Sequence, residues 1–292
     1  MTGNLLNRAR HIAALLGMLI LPIHPALAET VEAKLPTGII ATANFRAGQP
    51  SRPAVLLLHG FLQTRDAPPM SSLANALADQ GYTVLTPTLS LGINQRSKSL
   101  ACEAVHTHTM EGDVSEIGFW VNWLTRKGYD SIALIGHSAG STQILRYVAQ
   151  KPSPAVKKAI LTSLVAFHSE SAERQTAIER MKTLLPADEK DLGRFTLSYC
   201  KRNYVAPPRA FQSYAANDAN KTLGLLGKTR ALVEVVMGGT DTAMNADWPE
   251  KIRHCGVPVT VIEKAGHFFD GAQEFDLADK IESMLKALPV IK

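Results

Sequence analysis

The stretch LIGHSAGS, residues 134–141, restricts what this chain can fold into more than any other. The apolar run SIALI reaches Gly136, and a segment of helical period, SAGSTQILRYVAQ, starts at Ser138. Passing from strand to helix within so few residues drives the middle residue toward positive φ. Gly136 and Gly140 then have a steric purpose, because side chains there would collide where strand and helix approach. Such a turn needs a sheet to hold the strand and a second layer to take the helix.

The rest of the chain supplies both. From about residue 38, short apolar runs alternate with helix-period segments, the pattern of an α/β fold with a mostly parallel central sheet flanked by helices. GIIATANF, PAVLLLHG, YTVLTP, SIALIG, KAILTSLVA, RALVEVVMGG and VPVTVIEKAG read as strands. MSSLANALADQG reads as a helix ended by Gly81. Met110, Val114, Ile117, Val121 and Leu124 recur at three and four residues and mark one face of another, with Trp120 and Trp123 packing on the sheet. Phe275 to Leu288 forms a closing helix. Residues 168–228 break the rhythm: they are polar and carry charged helical stretches around Glu170–Leu185 and Asp188–Phe195. A segment of that length between two strands reads as a helical cap insertion rather than a crossover. Phe195, Tyr199, Tyr204, Phe211 and Tyr214 could line a pocket beneath it or form its own small core.

Residues 1–28 are set apart. Arg8 and Arg10 precede the apolar run from His11 to Leu21, and Ala26-Leu27-Ala28 has the form of a cleavage site, so a signal peptide cut after Ala28 is expected. The run is short for a membrane span, and LPIHP follows it. The mature chain, residues 29–292, is expected in the periplasm or outside the cell without a stable membrane anchor. Loss of the two arginines, with no acidic residue, lowers the formal charge from +5 to +3, too little to argue for nucleic acid. In an oxidising compartment Cys102, Cys200 and Cys255 allow one disulfide and one thiol; Cys102 with Cys200 is the preferred pair because both fall in segments above the sheet, and three unpaired structural cysteines are the alternative. No Walker motif, G-x-G-x-x-G or CxxC occurs, and His106 and His108 form no zinc pattern, so neither cofactor nor metal is implied.

In motif and element order the chain from about residue 38 resembles the α/β-hydrolase fold superfamily, and GHSAG resembles the nucleophile elbow of its esterase and lipase-like serine hydrolases. The resemblance implies Ser138 as nucleophile, with the Ala139 amide at the helix start forming half of an oxyanion hole. His59-Gly60-Phe61 is similar to the family's H-G motif and implies the Phe61 amide as the other half, His59 itself ordering the loop. The family order of serine, acid, histidine points to Asp241 in VVMGGTDTAMN and to His267 in EKAGHFFD. Asp247 and Asp270 are rivals for the acid; His137, His168 and His254 are weaker candidates for the base. The implied activity is hydrolysis of a small-molecule carboxylic ester through an acyl-enzyme. Thioester hydrolysis, amide or peptide hydrolysis, a lyase with the same triad, and a non-catalytic binding protein on the same fold are the alternatives. A serine at the elbow excludes the branches with aspartate and cysteine nucleophiles.

Overall fold

A computed structural model describes residues 28–150, 152–183 and 190–288. The expected signal peptide, apart from Ala28, lies outside the described residues. In chain order the elements begin with β1 (Glu29–Lys34), β2 (Ile40–Arg46), β3 (Ala54–Leu58), α1 (Met70–Asp79), β4 (Thr83–Thr88) and α2 (Met110–Arg126). The centre follows as β5 (Ile132–His137), α3 (Ala139–Val148) and β6 (Val156–Thr162). Next come α4 (Ser171–Thr183), β7 (Gly193–Leu197), β8 (Cys200–Ala206), α5 (Pro208–Ala215) and α6 (Ala219–Thr229). The chain closes with β9 (Val233–Gly238), α7 (Trp248–His254), β10 (Val259–Ile262) and α8 (Gln273–Lys286).

Eight strands form one sheet in the order β1-β2-β4-β3-β5-β6-β9-β10, parallel from β4 to β10 and antiparallel at the β1 and β2 edge. Burial on both faces explains the continuous apolar runs. On β3, Val55 and Leu57 face α1 and α8, whereas Leu56 and Leu58 belong to the core under α2 and α3. Each such side chain taken wholly out of water contributes about 1.5–3 kcal/mol. α2 starts at Thr109, whose side chain accepts the Gly112 amide at 3.1 Å, and the chain leaves it through Gly128 at φ 96°. Its five expected apolar positions are all buried. β1 was not apparent in the sequence, because an edge strand that alternates Glu29, Glu32 and Lys34 with small residues carries little apolar signal.

From β3 the chain goes to β4 on one side and returns to β5 on the other. The loops leaving the carboxyl ends of β3 and β5 therefore diverge, and open α/β sheets bind ligands in that crevice. His59-Gly60-Phe61 follows β3, and Ser138 follows β5.

Between β6 and β9 the segment expected to be helical is mixed. α4 lies within the first predicted stretch, but the second, around Asp188–Phe195, runs into the strand β7, with residues 184–189 outside the described set. β7 pairs antiparallel with β8, Phe195 opposite Tyr204 and Leu197 opposite Cys200. Pairing with the hairpin strand that follows two residues on overrides local helix preference here. Phe195 stacks on Phe211 with centroids 4.0 Å apart, and Phe195, Tyr204, Phe211 and Tyr214 are all buried, so four of the five aromatics are core. Tyr199, at the hairpin turn, is 59% exposed and borders the crevice.

Cys102 and Cys200 form a disulfide, Cα atoms 5.7 Å apart across 98 residues, and Cys255 is a free thiol. The bond ties the loop between β4 and α2 to β8, beside main-chain bonds from His106 N to Val205 O (2.8 Å) and Val205 N to Cys102 O (3.3 Å). Closing so long a loop restricts the unfolded chain strongly. Replacing both cysteines by serine is expected to lower unfolding free energy by about 2–4 kcal/mol in urea titration. A double variant as stable as the parent would show that the hairpin holds without the bond.

Candidate active site

Ser138 stands between β5 and α3 at φ 55°, ψ −121°. The close approach that the glycines permit is plain in the geometry: a Cβ on Gly136 would lie 2.6 Å from the Gly140 carbonyl carbon, and one on Gly140 would lie 2.4 Å from the His59 carbonyl oxygen. Ser138 N donates to Thr162 O at 2.9 Å, which fastens the turn to the end of β6. As the first residue of α3, Ala139 has an amide with no intrahelical acceptor, at the positive end of the helix dipole.

His267 lies in the loop between β10 and α8. Its Nε2 is 2.9 Å from Ser138 Oγ, and its Nδ1 is 2.8 Å from Asp241 Oδ2, in the loop after β9. These loops are held to each other and to β6: Thr240 N donates to Ala265 O at 2.9 Å, and Ser163 Oγ donates to His267 O at 2.8 Å. Burial alone would push the Asp241 carboxyl up. The hydrogen bond and charge of His267, with help from the Ala243 amide and Ser163, outweigh it and hold the carboxyl below its ordinary value.

The other candidates lie elsewhere. Asp247 pairs with Lys251 at the start of α7, and the contact to His267 comes from Asp241 rather than from Asp247 or Asp270. His254 is exposed with its Nδ1 2.8 Å from Glu250 O, and His168 is exposed at the rim of the cleft. His137 packs behind His267, ring centroids 5.1 Å apart, with Nδ1 3.3 Å from Thr162 Oγ1. Burial first, and then the neighbouring His267, bring its pKa down to about 3, so it backs the other ring as a neutral group.

On the opposite side of Ser138 runs Gly60-Phe61, close enough that a Cβ on Gly60 would be 3.6 Å from Ser138 Cβ. His59 is buried, with Nδ1 2.8 Å from Gly60 O and Nε2 accepting the Leu89 amide at 3.1 Å, which fixes a neutral tautomer that orders the loop. Above these groups opens a cleft of about 600 Å³. Phe61, Val165, Ala166 and Phe268 give it apolar walls, and Gln63 and Lys201 add polar groups. Phe268, Gln63 and Lys201 were not visible as site residues in the sequence, because nothing local distinguishes them from surface positions.

Behind Phe61 lies a buried polar cluster. Asp113 Oδ2 accepts from the Tyr214 hydroxyl and, at 2.6 Å, from Gln143 Nε2, while His108 Nδ1 is 2.6 Å from Tyr214 Oη. His106 turns instead to Ala101 O at 3.1 Å and stacks on Tyr204 at 4.4 Å, so the two histidines of HTHT serve separate structural contacts. Burial, the largest cause, and the nearby Glu116 push the Asp113 carboxyl up to about 7 against its bonds to Tyr214 and Gln143 and the charge of Arg96. A carboxyl raised in the folded state binds its proton more tightly there than in the unfolded chain. Its contribution to stability is therefore expected to fall as pH rises from about 4 to about 7 and to level off above. Glu116, also raised by burial, acts in the same direction. The buried neutral His59, His108 and His137, held down to about 3, act oppositely, so the test is a difference: from pH 5 to pH 8 the urea midpoint of the wild type is expected to change less favourably than that of Asp113→Asn, and an equal change in both would show that Asp113 does not titrate in that range.

Comparison with known proteins agrees with this architecture. Residues 53–196 match the family model of the α/β hydrolase fold. No curated protein gives a significant match. Among solved structures, DcsB in complex with its substrate analogue superposes with a TM-score of 0.69 at 15% identity, covering 89% of this chain and 98% of that one. The α/β hydrolase GrgF from Penicillium sp. sh18 gives 0.66 at 15%, covering 89% and 98%. The Pyrococcus furiosus esterase Pf2001 gives 0.59 at 14%, covering 89% and 90%. At such identities the fold is what is shared. With the sheet order and the strand–turn–helix at its centre, these matches give the chain the α/β hydrolase fold.

Proposed function

We propose that this protein is a serine hydrolase that cleaves a carboxylic ester of a small molecule in two steps. The observation that carries the reading is the unbroken line from Asp241 Oδ2 to His267 Nδ1 (2.8 Å) and from His267 Nε2 to Ser138 Oγ (2.9 Å). Ser138 Oγ attacks the ester carbonyl while His267 Nε2 takes its proton. The amides of Phe61 and Ala139 donate to the tetrahedral oxyanion. His267 then returns the proton to the leaving alkoxide, and the alcohol departs. Water attacks the acyl-enzyme by the same route, giving the acid and restoring Ser138. Asp241 keeps the imidazole in the tautomer that leaves Nε2 free to accept, and stabilises its cation.

The same proposal places the mature chain in the periplasm or outside the cell. The N-terminal pattern supports this, and so does a disulfide between Cys102 and Cys200, a bond that persists in oxidising compartments.

The test is a p-nitrophenyl ester series from acetate to palmitate with residues 29–292, together with fluorophosphonate labelling mapped by peptide sequencing. Turnover with a chain-length optimum and a label on Ser138 are expected. A label without ester turnover would move the bond to a thioester or amide. Neither label nor turnover on any of the three would leave a binding protein.

A further inference from the structure

Residues 89–109 join β4 to α2 without a strand or helix, and Arg96 lies among them. An arginine in so polar a loop is ordinarily exposed. Here it is 4% exposed. A buried guanidinium is costly unless its donors are taken, and it has five of them. Nε donates to Leu89 O at 2.6 Å, and Nη1 donates to Lys98 O at 2.9 Å and Leu62 O at 3.4 Å. Nη2 donates to Gln63 O at 2.6 Å and lies 3.3 Å from His59 Nε2. Asp113 and Glu116 are near enough to support the charge, yet every bond of the fork runs to the main chain or to His59.

Two of those carbonyls, Leu62 and Gln63, come directly after Phe61. The rest of the turn is anchored in the same manner. Gly60 O takes His59 Nδ1–H at 2.8 Å, Phe61 O takes the Tyr199 hydroxyl at 3.2 Å, and Leu62 O also takes the Leu100 amide at 2.9 Å. Every carbonyl from Gly60 to Gln63 is thus held, whereas the Phe61 amide donates to no group among the described residues. Because a peptide unit is rigid, the Leu62 carbonyl held by Arg96 sets the direction of Gln63 N–H, which donates to Gly60 O at 3.2 Å, and Gly60 O in turn sets the direction of Phe61 N–H. Leu62 sits at φ 57°, a conformation that a leucine does not keep without such support.

We propose that Arg96 is a positioning residue for the hydrolysis: through the carbonyls of Leu62 and Gln63 it keeps the Phe61 amide aimed at the oxyanion that forms beside Ser138. The inference rests on the function proposed above. Oxyanion donors work because they are placed before the charge develops, and a misplacement of about 1 Å can cost about 100-fold. A lysine carries the charge but has three donors on one nitrogen, so it cannot span carbonyls that a planar fork reaches together.

The experiment compares the wild-type mature chain with Arg96→Lys. It measures kcat and KM on the best ester, inhibition by an alkylboronic acid that forms a tetrahedral adduct with Ser138, and melting temperature. For the lysine variant we expect kcat to fall about 30- to 100-fold with KM within about twofold. Boronic acid affinity should weaken by the same factor as kcat/KM. A residue that only supports the fold would lower melting temperature while kcat and boronate affinity per folded molecule stay at wild-type values, and that result overturns the proposal. A second measurement needs no variant. In wild-type protein labelled with 15N-phenylalanine, the Phe61 amide should show an order parameter near the rigid value of about 0.85 before any ligand is added. A value below about 0.6 means that the turn is not held, and the proposal fails whether or not the lysine variant folds. A wild-type protein that neither hydrolyses esters nor binds the boronate sinks the functional reading and this inference with it. Wild-type activity and boronate binding that Arg96→Lys shares in full sinks the inference alone.

Discussion

Ser138→Ala is expected to lower ester turnover by about 10⁴- to 10⁶-fold and to abolish fluorophosphonate labelling, with an unchanged circular dichroism spectrum. The size follows from what is lost and what remains. The variant has no group to carry the acyl chain, so His267 can at best assist direct attack by water. The two amides and the cleft survive and sustain a residual rate about 10³–10⁴ above the uncatalysed one. Stability separates alanine from a second substitution at the same site. Position 138 sits at φ 55°, strained for any residue that bears a Cβ. Alanine inherits that strain, whereas Ser138→Gly relieves it. The glycine variant should therefore be inactive yet more stable than the alanine variant by about 1 kcal/mol in urea titration. Full activity in Ser138→Ala would remove the foundation of the proposed chemistry. Equal stability of the two variants would show that the elbow is not strained.

The second large effect is expected from Asp241→Asn, which should reduce kcat about 10⁴-fold while leaving the fold intact. The geometry of this side chain gives the reason. Asp241 Oδ1 accepts the Ala243 amide at 2.8 Å, and Oδ2 is 2.8 Å from His267 Nδ1. An asparagine must keep its oxygen on the Ala243 N–H, because an NH₂ there would face another donor. Its NH₂ then turns toward His267 Nδ1 and selects the tautomer that carries the proton on Nε2. That tautomer presents a donor to Ser138 and cannot take its proton. Since Asp241 is held below the ordinary carboxylate range, it stays ionised well into acid. Its contribution to stability is present above about pH 4 and is lost only as pH falls through its lowered folded value. A profile of kcat against pH with Asp241→Asn within about tenfold of wild type at every pH would refute its role as the orienting acid.

Residues close in sequence announced the centre of the molecule. GHSAG predicts a tight strand-to-helix turn because two glycines bracketing a serine after an apolar run have few other uses. The strand ends at His137, the helix starts at Ala139, and the backbone between them is left-handed. Asp241 and His267 were legible through the family's order of serine, acid and histidine applied to the loops just past apolar strands, and the structure places His267 against Ser138 and Asp241 against His267. The pairing of Cys102 with Cys200 was preferred from their expected place above the sheet, but the sequence left three unpaired cysteines open and the structure decided for the bond. The segment between β6 and β9 was less legible. Its charged residues suggested a helical stretch around Asp188–Phe195, but β7 owes its extended form to its hairpin partner β8 and to the stacking of Phe195 on Phe211.

What the sequence determined by itself was everything set by short-range sterics and periodicity: the layered α/β core, the turn at Ser138 and the strand ends where an acid and a base could stand. Those signals are local, since φ/ψ limits and the spacing of apolar residues act over a few positions. Tertiary structure alone decided which polar side chains are buried. Arg96 reads as a surface residue in a polar loop, and only the convergence of the Leu62, Gln63, Leu89 and Lys98 carbonyls with His59 Nε2 gives its five donors partners away from water. Tyr199 and Lys201 border the cleft on a hairpin that the Cys102 disulfide, main-chain bonds at Val205 and the Tyr199 hydroxyl on Phe61 O tie down. The bonds of Arg96 to Leu62, Gln63 and His59 join groups more than 30 residues apart that must meet within about 3 Å, and no short window of the sequence contains both partners.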